Sequence, residues 1–498
     1  MSFGIDMPSW VVTLVRTADL TVLWYTFLVN TFFLLLLVLA VPQLFAHWRF
    51  ASEDVLIRSL TSSAAPRVSI IVPAYNEAVS IVDSLRSLLT LRYPYYEVVL
   101  VNDGSTDDTL QRLIDAYDLY EVPPAVMRRL RTQRVRSYYR SRTWTKLLVV
   151  DKMNGGKADS LNVALDASRF PFVLACDADT LIEPDALLRL TRPFLFDRKI
   201  AAVGGTIRVV NSCTVKDGRV TDARVDSRWL PGVQTVEYLR AFLFGRLGWN
   251  LLGGNLNISG AFGLFRRDYL TEILGYATST VTEDFEVSVR LQRYLKEKHA
   301  NAEVTFIPDP VAWTEVPSSV AVLGRQRERW HRGLIATLVT HRKVMLNPRY
   351  GATGMIALPY FLFAEMLAPL VESVGLVLTL LGTLFGLLAP AYAVAFFMVT
   401  YLYGILLSLA AVLMEEASFH RYQRPIDSLR LAWFAIIEPL GYRQMTVWFR
   451  LKAFVRYLRG DGSWGHMKRE GFAAPPAAAS AQRLTPHHVP TVPERPAA

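Results

Sequence analysis

The chain has 498 residues, enough for more than one domain, and its 54 basic and 44 acidic residues give a net charge of +10. Hydrophobic residues make up 52% of it and the mean hydropathy is positive, which excludes an ordinary soluble protein and predicts membrane segments. The basic balance favours lipid headgroups and a phosphate-bearing ligand over nucleic acid. The two cysteines, Cys176 and Cys213, exclude a disulfide framework and a zinc site and are typical of reduced cytosol.

The first predicted element is a transmembrane helix over residues 20–47, after a short N-terminal segment, residues 1–19. No charged residue interrupts residues 20–46, and the run is long enough to span a bilayer. It is too long for the core of a cleaved signal peptide and has no basic leader, so we expect a retained anchor. Basic residues in the linker, residues 48–66, predict that the chain continues in the cytoplasm.

Two β-loop-α units open the next predicted domain, residues 67–345. A buried-type strand over residues 68–73 precedes a helix near residues 80–89, and a second strand over residues 97–101 precedes a loop and a helix cap. Short connections of this kind predict a parallel, doubly wound sheet. The residues at the ends of these strands are Pro73, Ala74, Tyr75, Glu77 and Asp103. They meet at one edge of the sheet, where a base and a ribose can bind, although each alone is equally typical of a turn or cap.

A basic stretch and a glycine loop come next. Residues 128–146 are dense in arginine, which favours a solvated or lipid-facing surface over contact with substrate. In the loop, Gly155 and Gly156 let the backbone approach a ligand, Lys157 supplies a positive charge, and the N-terminus of the following helix favours anions. The spacing of a P-loop is missing.

A strand-forming run over residues 173–176 stops at Asp177 and Asp179. Ligands collect beyond the carboxyl ends of strands in open α/β sheets, and two carboxylates there suit Mg²⁺ or Mn²⁺ shared with substrate phosphates. An isolated Asp-x-Asp is more often a plain strand end, so the metal interpretation depends on the neighbouring motifs.

Residues 326–333 are both basic and aromatic. Trp330 offers a flat aromatic face and Arg329 a positive charge to a ligand, while the alternative is an amphipathic helix on the membrane surface. Both interpretations can hold at once. Residues 238–249 are a second candidate interfacial helix, with the protein core as the alternative.

Two further transmembrane helices are predicted within residues 354–416. Glu365 and Glu372 lie seven residues apart and so on one helical face, where they face either an aqueous path or a neighbouring helix. Residues 425–470 are basic and interrupted by Glu438 and Pro439, which predicts a re-entrant or interfacial segment. The tail, residues 471–498, is rich in alanine and proline and is predicted to be disordered.

Together, the motifs resemble the membrane-embedded processive members of glycosyltransferase family 2, which include the poly-N-acetylglucosamine, hyaluronan, chitin and cellulose synthases. The nucleotide-sugar half matches at residues 72–77, 102–107, 155–159 and 177–179. The acceptor half matches at residues 258–263, 282–284 and 326–330. The motifs occur in the family's order between residues 68 and 333.

The resemblance implies an α/β fold of the GT-A type, with a doubly wound mixed sheet, and transfer of a sugar with inversion. It implies Asp284 as the general base, and Asp179 with Asp177 as the ligands of Mg²⁺ or Mn²⁺. The implied nucleotide-sugar-binding residues are Pro73, Ala74, Tyr75, Glu77, Asp103, Lys157, Asp177 and Ser259. The implied acceptor and diphosphate contacts are Gly260, Glu283, Gln326, Arg329 and Trp330.

The resulting hypothesis is an enzyme of the plasma (inner) membrane that crosses it several times, with its catalytic domain in the cytoplasm. It would polymerise a UDP-sugar, with UDP-N-acetylglucosamine as first choice, into an exported β-linked polysaccharide. Expected partners are the UDP-sugar, a polysaccharide or lipid acceptor, membrane lipids and accessory membrane or export subunits, and no nucleic acid. Alternatives are a non-processive transferase acting on a lipid and an inactive membrane scaffold. No cyclic-dinucleotide-binding module is recognisable, which counts against cellulose.

Overall fold

The computed structural model describes residues 8–50, 65–124, 129–298 and 301–460. The predicted tail, most of the linker and part of the N-terminal segment lie outside these residues. So does Arg128 at the start of the basic stretch.

A mixed sheet forms the centre of the predicted catalytic domain. Within the described residues it contains ten strands in the order β3-β4-β5-β2-β1-β6-β11-β8-β12-β7, and β9 and β10 form a separate hairpin. The strands are β1 (Val68–Ala74), β2 (Tyr96–Asn102), β3 (Leu119–Val122), β4 (Val135–Ser141), β5 (Leu147–Lys152), β6 (Phe172–Cys176), β7 (Leu181–Ile182), β8 (Ile200–Val209), β9 (Thr214–Lys216), β10 (Arg219–Asp222), β11 (Phe262–Arg266) and β12 (Glu303–Thr314). Strands β5, β2, β1 and β6 are parallel, whereas β11 runs antiparallel to β6 and β8. The predicted doubly wound mixed sheet is confirmed.

Apolar side chains alternate between the two faces of the sheet. In β1, Ile70 and Val72 join the core on one face, and Ile71 joins the core on the other. This follows from the two-residue period of a strand, and it requires helices on both faces. The α-helices are Ser9–Phe50, Ile81–Leu89, Thr109–Tyr117, Lys157–Ala167, Ala186–Phe196, Trp229–Tyr238, Arg246–Leu252, Arg267–Glu272, Glu283–Glu297, Val320–Thr340, Leu358–Tyr360, Ala368–Leu384, Pro390–Phe397, Tyr403–Ser418, Pro425–Ile437 and Arg443–Leu458. The π-helical segments are Leu239–Gly245, Thr353–Ala357, Phe361–Met366, Met398–Leu402 and Glu438–Tyr442, and short 3-10 turns are Arg342–Val344 and Pro348–Tyr350.

Strand β1 lies between β2 and β6, so the strands that follow it in the sequence are added on both of its sides. Such a reversal of strand order opens a crevice at the carboxyl ends of the strands. That crevice lies beyond Ala74 of β1, Asn102 of β2 and Cys176 of β6, where the polar motifs follow.

The N-terminal helix, Ser9–Phe50, begins well before residue 20, where the span was predicted to start. Helices Ser9–Trp48 and Ala391–Ser418 are long and apolar enough to cross a membrane. A third candidate is a bent pair, Thr353–Met366 with Ala368–Leu384, whose axes differ by 41°. The described residues therefore contain two or three candidate spans, and the span count stays a prediction.

Residues 238–249 do not form one uniform α-helix, because the π-helical segment Leu239–Gly245 interrupts them. Leu243 and Leu247 are buried against Ala40 and Leu44 of the N-terminal helix. This packing corresponds to the core alternative rather than to a free interfacial helix.

Glu365 and Glu372 both face the last described helix, Arg443–Leu458. Glu372 forms an ion pair with Arg443 at 2.7 Å, and Glu365 lies 3.6 Å from Arg450. Of the two alternatives, an aqueous path or a neighbouring helix, Glu372 therefore faces the neighbouring helix. Before this helix, Leu440 and Gly441 break the chain at non-helical dihedral angles, with Gly441 at a φ of 89°.

Candidate active site

A cavity of about 1310 Å³ lies at the crevice beyond β1, β2 and β6. All site residues predicted from the sequence border it: Pro73, Ala74, Tyr75, Glu77, Asp103, Lys157, Asp177, Asp179, Ser259, Gly260, Glu283, Asp284, Gln326, Arg329 and Trp330. They come from motifs spread over more than half of the chain. The fold thus brings the two groups of motifs to one place, while the role of each residue remains a prediction.

The ends of β1 and β2 form one wall of the cavity. The Asp103 N–H donates to the carbonyl oxygen of Ala74 at 2.8 Å, which ties the two strand ends together. The Glu77 N–H donates to the Thr109 hydroxyl at 2.9 Å, so the loop after β1 is fixed to the start of the Thr109–Tyr117 helix, which follows β2. Tyr75 is 41% exposed and leaves an aromatic face available at this wall.

The Asp103 carboxylate is hydrogen-bonded to the glycine loop. Its two oxygens accept hydrogen bonds from the N–H groups of Gly155 at 2.9 Å and Gly156 at 2.8 Å. Lys152, which is fully buried, forms an ion pair with Asp103 and lies 2.8 Å from Asp159. Asp103 therefore borders the cavity chiefly as the group that holds the loop. Sequence reasoning missed Lys152; the only signal was a lysine at the end of an apolar strand.

Lys157 joins the two halves of the site. Its Nζ lies 2.6 Å from Asp177 Oδ1 and 2.8 Å from Glu283 Oε1. Burial opposes the charge of Lys157, but the surrounding carboxylates outweigh it and raise its pKa above the usual range. The cavity is therefore lined by a cation at neutral pH, positioned by the start of the Lys157–Ala167 helix.

Asp284 is held by two backbone groups. Its Oδ2 accepts from the Gly260 N–H and its Oδ1 from the Phe285 N–H, both at 2.8 Å. A Cβ at Gly260 would lie 2.7 Å from Asp284 Oδ2, so only glycine permits this approach. Burial and the charge of Glu283 raise the pKa of Asp284. For Glu283 itself, burial is outweighed by Lys157, which lowers its pKa.

Asp177 and Asp179 follow β6 at the edge of the cavity. Burial raises the pKa of Asp177 to about 6 despite its contact with Lys157, and Asp179 adds to the rise. Among the described residues no cluster of three or more His, Cys, Asp or Glu side chains is arranged to hold a metal by itself. Two carboxylates nevertheless fit a hard divalent cation that takes its remaining oxygen ligands from substrate phosphates.

The Val320–Thr340 helix forms another wall of the cavity. Trp330 is 37% exposed there, and the Arg327 guanidinium lies 4.5 Å from the centre of its ring. Gly333 allows this helix to pack directly on the Thr-Glu-Asp motif, because a Cβ there would lie 2.0 Å from Thr282 Oγ1. The aromatic ring and the carboxylate motif are therefore fixed relative to each other.

The cavity continues from the strand ends to the candidate membrane spans. Its far end is bordered by Phe33 of the N-terminal helix, Tyr360, Phe361, Glu365 and Arg450. These residues belong to no motif, and only Glu365 was singled out from the sequence, as an ionisable group in an apolar stretch. Their contribution depends on tertiary packing.

Known proteins resemble this chain over the same region. The sequence profile described as Glycosyltransferase like family 2 matches residues 66–333, just over half of the chain. A protein named poly-beta-1,6-N-acetyl-D-glucosamine synthase from Staphylococcus epidermidis is 27% identical over 291 residues, which cover 58% of this chain and 60% of that protein. A protein of the same name from Staphylococcus aureus is 27% identical over 267 residues, 53% of this chain and 54% of that protein. The matched region thus spans less than two thirds of these relatives.

Among solved structures, a mannosyltransferase from Pyrobaculum calidifontis in complex with GDP-Man and Mn²⁺ is 18% identical. The alignment covers 89% of this chain and 99% of that chain, with a TM-score of 0.47. A likeness this distant does not transfer ligands or residue roles.

Proposed function

The chain belongs to the Glycosyltransferase like family 2, and from this premise we propose that it is an inverting, membrane-embedded glycosyltransferase. It transfers a sugar from a UDP-sugar to the hydroxyl group of a growing β-linked polysaccharide. UDP-N-acetylglucosamine is the proposed donor, because the relatives from Staphylococcus epidermidis and Staphylococcus aureus are named poly-beta-1,6-N-acetyl-D-glucosamine synthases.

The observation that carries this proposal is the contact of Lys157 with both Asp177 and Glu283, beside Asp284. A nucleoside diphosphate is a poor leaving group until its negative charge is neutralised. Lys157 supplies a fixed cation next to the carboxylates that follow β6. Donor chemistry and acceptor chemistry therefore meet within the reach of one lysine side chain.

In the proposed mechanism, Asp284 accepts the proton of the acceptor hydroxyl. The resulting oxygen nucleophile attacks the anomeric carbon of the donor sugar, and the bond from that carbon to the diphosphate breaks, so that UDP leaves. A raised pKa makes Asp284 a stronger base than an ordinary aspartate, and its two N–H contacts fix its orientation. Attack from the side opposite UDP gives a β-linkage from an α-linked donor.

Asp179 and Asp177 are proposed to hold Mg²⁺ or Mn²⁺. When bound, the cation would supply Lewis-acid neutralisation of the diphosphate. One or two protein carboxylates, with substrate phosphates and several waters as the other ligands, are the usual arrangement for Mg²⁺. Tyr75, Pro73, Ala74 and Glu77 would then border the nucleoside.

The continuous cavity supports a polymer as the acceptor. Trp330 offers a platform for the terminal sugar, and Tyr360 and Phe361 extend the aromatic lining towards the candidate spans. A growing chain threaded along this path would leave through the membrane, which couples synthesis to export. We also propose that the protein crosses the cell membrane several times, keeps its catalytic domain in the cytoplasm, and has room for accessory membrane subunits.

Incubation of the purified, detergent-solubilised protein with a panel of UDP-sugars and Mg²⁺ or Mn²⁺ tests donor and reaction class. UDP release and incorporation of radiolabel should be greatest with UDP-N-acetylglucosamine. Transfer of a single sugar to a lipid would replace the polymerase by the non-processive alternative. Absence of UDP release with every donor would contradict the proposed function.

A further inference from the structure

Arg246 is a cation of the cavity that no sequence motif marks. It begins the Arg246–Leu252 helix, and Phe242 and Trp249, one helical turn to either side, border the cavity with it. Gly248 presses this helix onto the N-terminal helix, because a Cβ there would lie 2.4 Å from the Leu36 carbonyl oxygen. Asn250 fixes it to β12 through the backbone N–H and carbonyl of Phe306. The position of Arg246 is therefore rigid.

The guanidinium of Arg246 lacks an anionic partner within the described part of the chain. It lies 3.8 Å from the centre of the Phe242 ring and 5.7 Å from that of Phe306. Its Nη1 is buried and makes no hydrogen bond to any described residue. Burial lowers the pKa of Arg246 to about 10, so the side chain remains a cation at neutral pH.

Other cations that border the same cavity are paired. Those with a described ion pair are Lys157, Arg228, Arg240, Arg327 and Arg450. Arg246 is half-buried with its Nη1 fully buried, and a charge withdrawn from water without a counter-charge is costly, because the solvation that it loses is not replaced. A hydrogen-bond acceptor on the substrate would replace the lost solvation.

The location of Arg246 indicates which substrate supplies that partner. Arg246 and Asp284 border the same cavity, and the charge of Asp284 acts on Arg246. The donor side of the cavity, by contrast, lies at Lys157 and Asp177 beyond the strand ends. Trp249, on the same face as Arg246, packs against Tyr360 with ring centres 5.3 Å apart, and so continues this wall towards the spans. Arg246 thus borders the same cavity as the proposed base, Asp284, and as Trp249 and Tyr360, the aromatic residues that continue towards the spans.

We propose that Arg246 binds the acceptor. Its free N–H groups donate hydrogen bonds to an oxygen of the terminal acceptor sugar, either a hydroxyl or an acetamido carbonyl, and so place the attacking hydroxyl at Asp284. Phe242 holds the guanidinium plane by stacking and leaves its edge available for these bonds. This assignment rests on the proposed glycosyltransferase function and adds a positioning residue on its acceptor side.

The test compares Arg246→Met and Arg246→Lys with the wild-type protein in three measurements: UDP affinity, hydrolysis of the donor by water, and the KM for an oligosaccharide acceptor. Loss of a charged hydrogen bond typically costs about ten- to a hundred-fold in binding. Arg246→Met should raise the acceptor KM by about that factor, with UDP affinity and donor hydrolysis unchanged. Arg246→Lys keeps the charge, so its acceptor KM should lie between those of the wild-type protein and Arg246→Met.

Lys157→Met is the matched control, since it removes a cation of the same cavity on the donor side and should weaken UDP binding. A similar loss of UDP affinity in Arg246→Met would assign Arg246 to the diphosphate and overturn the inference. An unchanged acceptor KM would overturn it as well. If thermal melting shows Arg246→Met to be unfolded, the same two readouts in Arg246→Lys decide. Absence of any transfer by the wild-type protein would instead reject the proposed function.

Discussion

Asp284 has the two properties that a general base requires, a fixed orientation and a raised pKa. Asp284→Asn keeps the shape and removes the proton acceptor. UDP affinity should stay close to that of the wild-type protein while turnover falls by about 10²–10⁴-fold. Turnover near the wild-type rate would place the base elsewhere, with Glu283 as the next residue to test.

The pH dependence of the reaction follows from the same residue. A base works only when it is ionised, so kcat/KM should fall as the pH drops through the pKa of Asp284. Because burial and Glu283 raise that pKa, the loss should begin at a higher pH than for an ordinary aspartate. A pH–rate profile of the wild-type protein measures it, and the residual rate of Asp284→Asn should lack this limb.

Asp179 is the residue whose removal tests the metal. Asp179→Ala should abolish transfer and weaken UDP binding in the presence of Mn²⁺, since the diphosphate loses its counter-ion. Calorimetric titration of UDP with and without Mn²⁺ measures this coupling, and EDTA should reproduce the effect in the wild-type protein. Full activity in EDTA, or in the variant, would contradict a metal-dependent reaction.

At the scale of elements, the Val320–Thr340 helix carries Trp330, the proposed acceptor platform. Trp330→Ala removes the flat face but leaves Lys157 and the carboxylates in place. We expect hydrolysis of the donor by water to continue while chain elongation is lost. Parallel assays of UDP release and polymer yield measure the two, and loss of both together would show that Trp330 serves the donor site as well.

Predictions from the sequence were most accurate where a short motif follows a buried strand. Asp177 after β6 and Asp103 after β2 were placed at one sheet edge because parallel strands end together. The contacts of Asp103 could not be predicted from the sequence. Its carboxylate accepts hydrogen bonds from the Gly155 and Gly156 N–H groups, and these bonds depend on the loop conformation. Arg246 was missed because it acquires its place only when its helix packs on β12 and the N-terminal helix.

At the scale of the whole molecule, side chains from the C-terminal third of the chain contact the proposed catalytic domain. After the Tyr403–Ser418 helix, Arg421 contacts Glu183 at 2.8 Å and Arg424 contacts Asp222 at 2.9 Å. The chain before the bent pair, up to the Val320–Thr340 helix, belongs to the same domain. We therefore expect the two candidate spans between these points to form a hairpin that starts and ends on one side of the membrane.

This arrangement predicts the result of topology mapping. A reporter fused at Lys343 should report the cytoplasm, and one inserted at Pro390, between the two candidate spans, should report the outside. Paired reporters active on opposite sides of the membrane provide the measurement. A cytoplasmic signal at Pro390 would remove the spanning hairpin and, with it, the proposed route of export.

The central claim is that this cavity builds a β-linked polymer from UDP-N-acetylglucosamine. The most direct measurement is the length and linkage of the product made by the purified wild-type protein from radiolabelled donor, resolved on a gel and analysed by NMR, with Asp284→Asn as the control. The proposed mechanism predicts long chains with β-configured anomeric carbons from the wild-type protein and none from the variant. Single-sugar products, α-linked chains, or equal polymer from both proteins would contradict it.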